Sequence, residues 1–190
     1  MAREASARER ILETASRLFH RDGFHAVGVD TIVAEAGIAK MTLYRHFPSK
    51  DDLIAAHLER ANEEFWLWLE GSTAGVEDPG AKLVAMFAAI EKLATSPRCL
   101  GCTFQATAAE FPERDHPGHR VALAHKRQVR ARFAELARLA RLRDPEVLAD
   151  QLLLLMDGAW AAARIFGPRN PSAGALAQAA ESLIAAHRGT

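Results

Sequence analysis

Nowhere in the 190 residues does an unbroken apolar run reach the roughly 18 residues that a helix needs to cross a bilayer. The opening Met-Ala-Arg-Glu-Ala-Ser has no signal-peptide character, so a soluble, cytoplasmic protein is expected. Net charge is missing as well, because 24 Lys and Arg face 24 Asp and Glu. That balance argues against a protein that coats nucleic acid, although a sequence-specific binder needs only a local positive patch. The first fifty residues carry eight cations against six acids, a net of +2, so charge alone marks no DNA-binding region. There is no Gly-rich phosphate loop, no G-x-S-x-G and no pair of carboxylates on a helix face beyond ordinary surface acids. The chain therefore reads as no enzyme, and no cofactor is implied. Strand-like alternation and internal repeats are absent too, which leaves an all-α architecture. With 49% hydrophobic residues the chain is globular, and its length allows one large or two small domains with a real core.

Helix boundaries are legible in order. Ser6 with Glu9 forms a capping box, and Ile11, Leu12, Ala15, Leu18 and Phe19 make the buried stripe behind it. Asp22-Gly23-Phe24 ends that helix, with Gly23 expected in the left-handed position. Ser49 with Asp52 caps a long fourth helix, where Leu53, Ile54, Leu58, Ala61, Phe65, Trp68 and Leu69 track one face. A break is expected over residues 71–80. Asp78-Pro79 then supplies N-cap and N1 of a fifth helix, which Ser96-Pro97 stops. A short helix is expected from Thr103 to Glu110, then a long one from after Gly118 to Leu142. Asp144-Pro145 repeats the cap device before a helix from Val147 to Phe166 that is apolar nearly all round, as a helix buried on every side would be. Gly167-Pro168 ends it, and Ser172 is expected to cap the last helix.

The stretch from Gly28 to Phe47, GVDTIVAEAGIAKMTLYRHF, organises the rest. Val29, Ile32, Val33 and Ala36 recur at helical spacing behind Gly28, an acceptable N-cap, and Asp30 suits the positive end of the helix dipole. Gly37 breaks the helix where a left-handed residue is needed. From Lys40 the pattern resumes, with Leu43 and Phe47 inward. Lys40, Met41, Thr42, Tyr44, Arg45 and His46 then face outward. That face is poor core material and suits the second helix of a helix-turn-helix in a DNA groove. On spacing alone a helical hairpin with a polar outer face reads the same.

The residues AGIAKMTLYRHFPSKDDL closely resemble the DNA-binding segment of the TetR family of bacterial transcriptional regulators. The family pattern of a small-residue–Gly turn, T-L-Y-x-H-F and a Ser-Lys is carried by Ala36-Gly37, Thr42-Leu43-Tyr44, His46-Phe47 and Ser49-Lys50. It runs without a gap from about Ile11 to Leu53. Ala39 replaces a usual Ser and removes one cap and phosphate contact, while Met41 stands where a small residue is common and offers a thymine methyl an apolar partner. The resemblance implies an N-terminal three-helix DNA-binding bundle over residues 1–47 and a C-terminal helical ligand-binding and dimerisation domain over 48–190. It implies a homodimeric, ligand-responsive repressor of a palindromic operator in double-stranded DNA, released when a small molecule displaces the fourth helix. DNA contacts fall to Lys40, Met41, Thr42, Tyr44, Arg45, His46 and Lys50. The two last helices are expected to pair with their copies as a four-helix bundle, with Gly158 at the close approach.

Candidate effector contacts are Phe65, Trp66, Met86, Phe87, Phe104, Gln105, Phe111, Met156 and Trp160, apolar and bulky with one amide among them. Thr107 and Glu110 are further polar candidates to orient a ligand. Such a lining favours a mostly apolar, uncharged or weakly cationic small molecule over a nucleotide, which would need an Arg cluster or a Gly-rich loop. An alternative on the same scaffold is a thiol or metal sensor. Cys99-Leu-Gly-Cys102 is a C-x-x-C, and with His116 and His119 it approaches a zinc spacing. Pro117 between the histidines and the lack of a preceding hairpin tell against a finger, so no metal ligands are assigned. Lys126, Arg127, Arg130, Arg132, Arg138, Arg141 and Arg143 form a cationic row that reads as the solvated face of an amphipathic helix.

Overall fold

The computed structural model describes residues 6–97, 99–167 and 172–189. Among them every regular element is helical. In chain order these are α1 (Ala7–Asp22), α2 (Val29–Ala36), α3 (Lys40–His46), α4 (Lys50–Ser72) and α5 (Pro79–Ala94), followed by α6 (Thr103–Glu110), α7 (Pro117–Leu139), α8 (Pro145–Phe166) and α9 (Leu176–Ala186). The chain divides into two compact units. One takes in the chain up to Glu63 together with Thr103–Ala124; the other holds Glu64–Cys102 and the chain from His125 onward. The bundle expected over residues 1–47 is thus one part of a larger packing unit.

In the first unit the local signals act as read. Glu9 N–H donates to Ser6 Oγ at 3.2 Å and Ser6 N–H to Glu9 Oε2 at 2.8 Å, which closes the capping box. All five stripe residues of α1 are buried. Gly37 is left-handed (φ 63°, ψ 43°), and its N–H and that of Ile38 return to carbonyls of α2. Asp52 N–H donates to Ser49 Oγ at 3.0 Å, so Ser49 caps α4. Gly23 departs from expectation: φ is positive at 84°, but ψ is 165°, an extended glycine conformation and not the left-handed helical one. The following amides, Phe24 and His25, turn to the Glu110 carboxylate, both at 3.0 Å, and not back to α1.

The second unit buries Leu83, Met86, Phe87 and Ile90 of α5, Val129 and Phe133 of α7, Leu148, Leu152, Met156 and Trp160 of α8, and Leu176, Ala180 and Ile184 of α9. Phe87 and Phe133 meet with ring centroids 5.2 Å apart. Asp78 caps α5 as read, accepting from Ala81 N–H at 2.7 Å. Several boundaries move. The fourth helix runs past Gly71 to Ser72. The seventh starts with Pro117 in its first turn and ends at Leu139, not Leu142, because Arg141 is left-handed (φ 55°) and Leu142 N–H folds back to Ala137. The eighth starts at Pro145; Asp144 is itself left-handed (φ 47°), and its side chain caps nothing. Ser172 caps no helix either. A 3₁₀ turn over Ala173–Ala175 intervenes, and Glu91 Oε2 of α5 accepts from Ala177 N–H at 2.8 Å in place of the missing cap. Gly167 ends α8 with φ 70°, while Pro168 lies outside the described residues. Within one chain α8 is not covered on every side, since Leu154, Ile165 and Phe166 remain exposed.

Candidate nucleic-acid interface

The helix-turn-helix is held at both ends by side chains from α1. Arg10 Nη2 donates to the carbonyls of Ala36 at 2.6 Å and Gly37 at 3.2 Å, and so satisfies the end of α2. Gly37 has no room for a Cβ without pressing this guanidinium, since the added atom would sit 3.3 Å from Nη2. Arg17 pairs with Glu35 on α2 at 2.6 Å, and the Arg8 guanidinium lies over the Phe47 ring, 5.2 Å from its centroid. These three N-terminal cations are therefore used within the bundle. Leu43 and Phe47 are buried as expected, which fixes the roll of α3 about its axis.

With that roll fixed, Lys40, Met41, Tyr44, Arg45 and His46 are exposed and Thr42 is half-buried. Met41, at 75% exposure, is a large apolar side chain presented to solvent. Lys40 is not free. Its Nζ lies 2.7 Å from Asp30 Oδ1, and this hydrogen bond with the carboxylate's charge raises its pKa. Lys50 opens α4 half-buried. Burial lowers its pKa, while Asp51 and Glu110 act the other way. The outer face of α3 thus offers one exposed guanidinium, an imidazole, a phenol and a thioether, with the first amides of α4 just beyond Phe47. Such a face can hold phosphates through Tyr44, His46 and the α4 amides, and can reach base edges through Arg45 and Met41.

The candidate effector residues separate between the two units. Met86, Phe87, Met156 and Trp160 are buried in the second, with Phe65 and Trp66 packed half-buried against that core. Trp66 Nε1 donates to Gln128 at 3.2 Å, and Phe65 meets the buried His125 edge-on at 4.9 Å. Burial, followed by the Lys126 charge, pushes His125 down to about 3, so its ring is neutral. Phe104, Gln105 and Phe111 belong to the first unit. There Phe111 stacks flat on His116 at 4.1 Å and meets His25 at 4.7 Å. Glu110 Oε2 accepts from the Phe24 and His25 amides, and Thr107 Oγ1 donates to Thr103 O of its own helix.

The other constellations resolve as well. His116 Nδ1 accepts from Gly118 N–H at 3.1 Å, and His119 Nδ1 lies 2.8 Å from Phe111 O. Among the described residues no three His, Cys, Asp or Glu side chains group as a metal site. Of the cationic row, Lys126, Arg130, Arg132 and Arg138 are each paired with a carboxylate. Sequence reasoning missed His57, buried on α4, with Nδ1 2.8 Å from Ser16 Oγ and Nε2 3.4 Å from Thr103 Oγ1. A histidine inside an Ala/Leu stripe was the available signal for it.

A family model described as bacterial regulatory proteins, tetR family, matches residues 11–57. The chain is 34% identical to a TetR-family transcriptional regulator from Streptomyces coelicolor, over 95% of each chain, with a TM-score of 0.87. It is 33% identical to a TetR transcriptional regulator from Streptomyces avermitilis, covering 96% of this chain and 98% of that one, with a TM-score of 0.86. With the HTH-type transcriptional regulator YxaF of Bacillus subtilis it shares 46% identity over 55 residues, 29% of either chain. The match to that relative thus spans less than a third of its length.

Proposed function

The chain belongs to the TetR family of bacterial transcriptional regulators, which are not enzymes, and from that premise we propose that it is a repressor that binds a palindromic operator as a homodimer. A DNA-binding domain over about residues 1–47 and a regulatory domain over the remainder divide the work. The observation that carries this reading is the outer face of α3: Met41, Tyr44, Arg45 and His46 stand in solvent on a helix anchored by buried Leu43 and Phe47. In a dimer two such helices enter successive major grooves about 34 Å apart. Lys40, Met41, Thr42 and Arg45 face the bases, while Tyr44, His46 and the start of α4 at Lys50 hold phosphates. Among the described residues no helix is long and apolar enough to cross a membrane, which suits a protein acting on DNA in the cytoplasm. A small, mostly apolar effector entering the second unit beside Phe65, Trp66, Met86, Phe87, Met156 or Trp160 releases the operator.

Selection from a random DNA pool identifies the operator, and two variants then test the contacts. Lys50→Ala weakens all sequences alike and lowers the salt slope by about 0.9 per lost phosphate contact, twice over in a dimer. Arg45→Ala instead narrows the gap between operator and random DNA by about 1–3 kcal/mol per site. An unchanged salt slope removes Lys50 from the contact list, and an unchanged gap removes Arg45 from base reading. An apolar effector that releases DNA should also change the emission of Trp66 or Trp160, and Phe87→Ala should weaken both effects together.

A further inference from the structure

The two cysteines are both free, both half-buried, and both packed against the core of the second unit. The loop between them is shaped to hold them there. Gly101 has φ 90°, a region that L side chains rarely adopt, and a Cβ placed on it would lie 3.0 Å from Arg164 Cβ and 3.3 Å from the Trp160 carbonyl. Glycine at this position lets the backbone lie directly on α8 while Leu100 points outward, 47% exposed. Arg164 Nη1 reaches the Leu100 carbonyl at 3.5 Å from the same side. Cys102 Sγ has a charged donor beside it: Lys126 Nζ of α7 lies 3.8 Å away and is itself held by Asp157 of α8. Among the described residues Cys99 has no such donor. Its thiol rests against the Gly101 amide, and burial above all, with the neighbouring Cys102 adding, pushes its pKa up.

We propose that Cys102 and Cys99 form a thiol–disulfide site in which Cys102, beside Lys126, is the attacking sulfur and Cys99 the resolving one. The co-reactant is hydrogen peroxide. The deprotonated Cys102 sulfur forms an S–O bond to peroxide as the O–O bond breaks and hydroxide leaves, which yields a sulfenic acid. The Cys99 sulfur then bonds to that of Cys102, the S–O bond breaks and a second hydroxide leaves. The two thiol protons neutralise the two hydroxides. Two thiols and one peroxide thus give one disulfide and two waters, with sulfur oxidised and peroxide reduced. Lys126 Nζ stands where it can donate to the sulfur that carries negative charge in the first step. The polarity of the pair follows from the difference in surroundings of the two sulfurs.

The test uses the full chain and one equivalent of peroxide, with thiols counted and intact mass measured. Wild type should lose both thiols and the mass of two hydrogens, remain uncrosslinked on a non-reducing gel, and recover with dithiothreitol. Cys99→Ser should stop at a sulfenic acid that dimedone traps on Cys102. Cys102→Ser should lose its remaining thiol severalfold more slowly than Cys99→Ser does. Lys126→Met should slow the reaction of Cys102 severalfold, with Lys126→Arg restoring most of the rate at unchanged helix content. Equal rates for the two single-cysteine variants, or disulfides formed only between chains, would overturn the proposal. So would a rate indifferent to Lys126. None of these outcomes bears on operator recognition by α3, which the DNA-binding variants test separately.

Discussion

At the scale of single residues, His57 is where folding and protonation meet. Its ring is flanked by Phe19 at 5.8 Å and Phe24 at 6.0 Å, and it holds Ser16 of α1 to α4. Burial above all, with the charges of His20 and Arg60 adding, pushes its pKa down from the ordinary 6.5 to about 4. The folded chain therefore keeps this ring neutral where the unfolded chain protonates it. The stability that depends on the neutral ring is complete above pH 6.5 and is lost as pH falls towards 4, because the unfolded state alone takes up the proton. A shift of that size corresponds to about 3 kcal/mol across the window. Urea unfolding of the wild type at pH 7 and pH 5 should show a loss that His57→Gln, which keeps a polar partner for Ser16, reduces by about 2 kcal/mol. Equal losses in both proteins would mean that His57 titrates normally. His125, pushed to about 3, adds a similar slope in the second unit. The Ala/Leu stripe around His57 hinted at its burial, but the shift of either ring was not legible, because it depends on what packs over a histidine from elsewhere in the chain.

At the scale of elements, boundaries were legible where the capping group is local. Ser6 with Glu9, Ser49 with Asp52, and Asp78 with Pro79 all lie within a few residues of the amides they serve, and all act as read. The same signal misled where the backbone turned another way: Asp144 is left-handed and Ser172 leads into a 3₁₀ turn. Two of the groups that replace or extend local caps are carboxylates from far along the chain, Glu91 for Ala177 and Glu110 for Phe24 and His25. Spacings of 85 and 86 residues leave no periodic trace. Glu110 fixes the α1–α2 turn from the end of α6, with Gly23 close enough that a Cβ there would sit 3.3 Å from Oε1. Glu110→Ala strands two amides that now donate to a charged acceptor. A loss of about 1–3 kcal/mol is expected, with faster hydrogen exchange confined to Phe24, His25 and their neighbours. If those amides exchange at their former rate, the carboxylate is not what orders the turn.

At the scale of the whole molecule, the apolar excess of α8 was legible and its meaning follows from what one chain leaves uncovered. Leu148, Leu152, Met156 and Trp160 are buried within the subunit, but Leu154 at 72%, Ile165 at 74% and Phe166 at 64% exposure are not. On a helix Leu154 and Ile165 share a face with Gly158. A Cβ at Gly158 meets nothing within 4 Å, so the isolated subunit has room for any side chain there. Gly158→Arg should therefore fold, and replacing a mid-helix glycine even favours α8 by about 1 kcal/mol. In the proposed homodimer the same position lies where two backbones approach. The guanidinium would then be buried without a partner, at a cost of several kcal/mol. The expected product is a monomer of normal helix content that no longer binds a two-half-site operator. Leu67→Arg serves as the control, because Leu67 of α4 is 76% exposed but is no part of the α8 face, and that variant should stay dimeric. Sedimentation velocity distinguishes the outcomes. A Gly158→Arg dimer that still binds its operator would place the subunit contact away from α8, whereas dissociation of both variants would show only that added charge disfavours association.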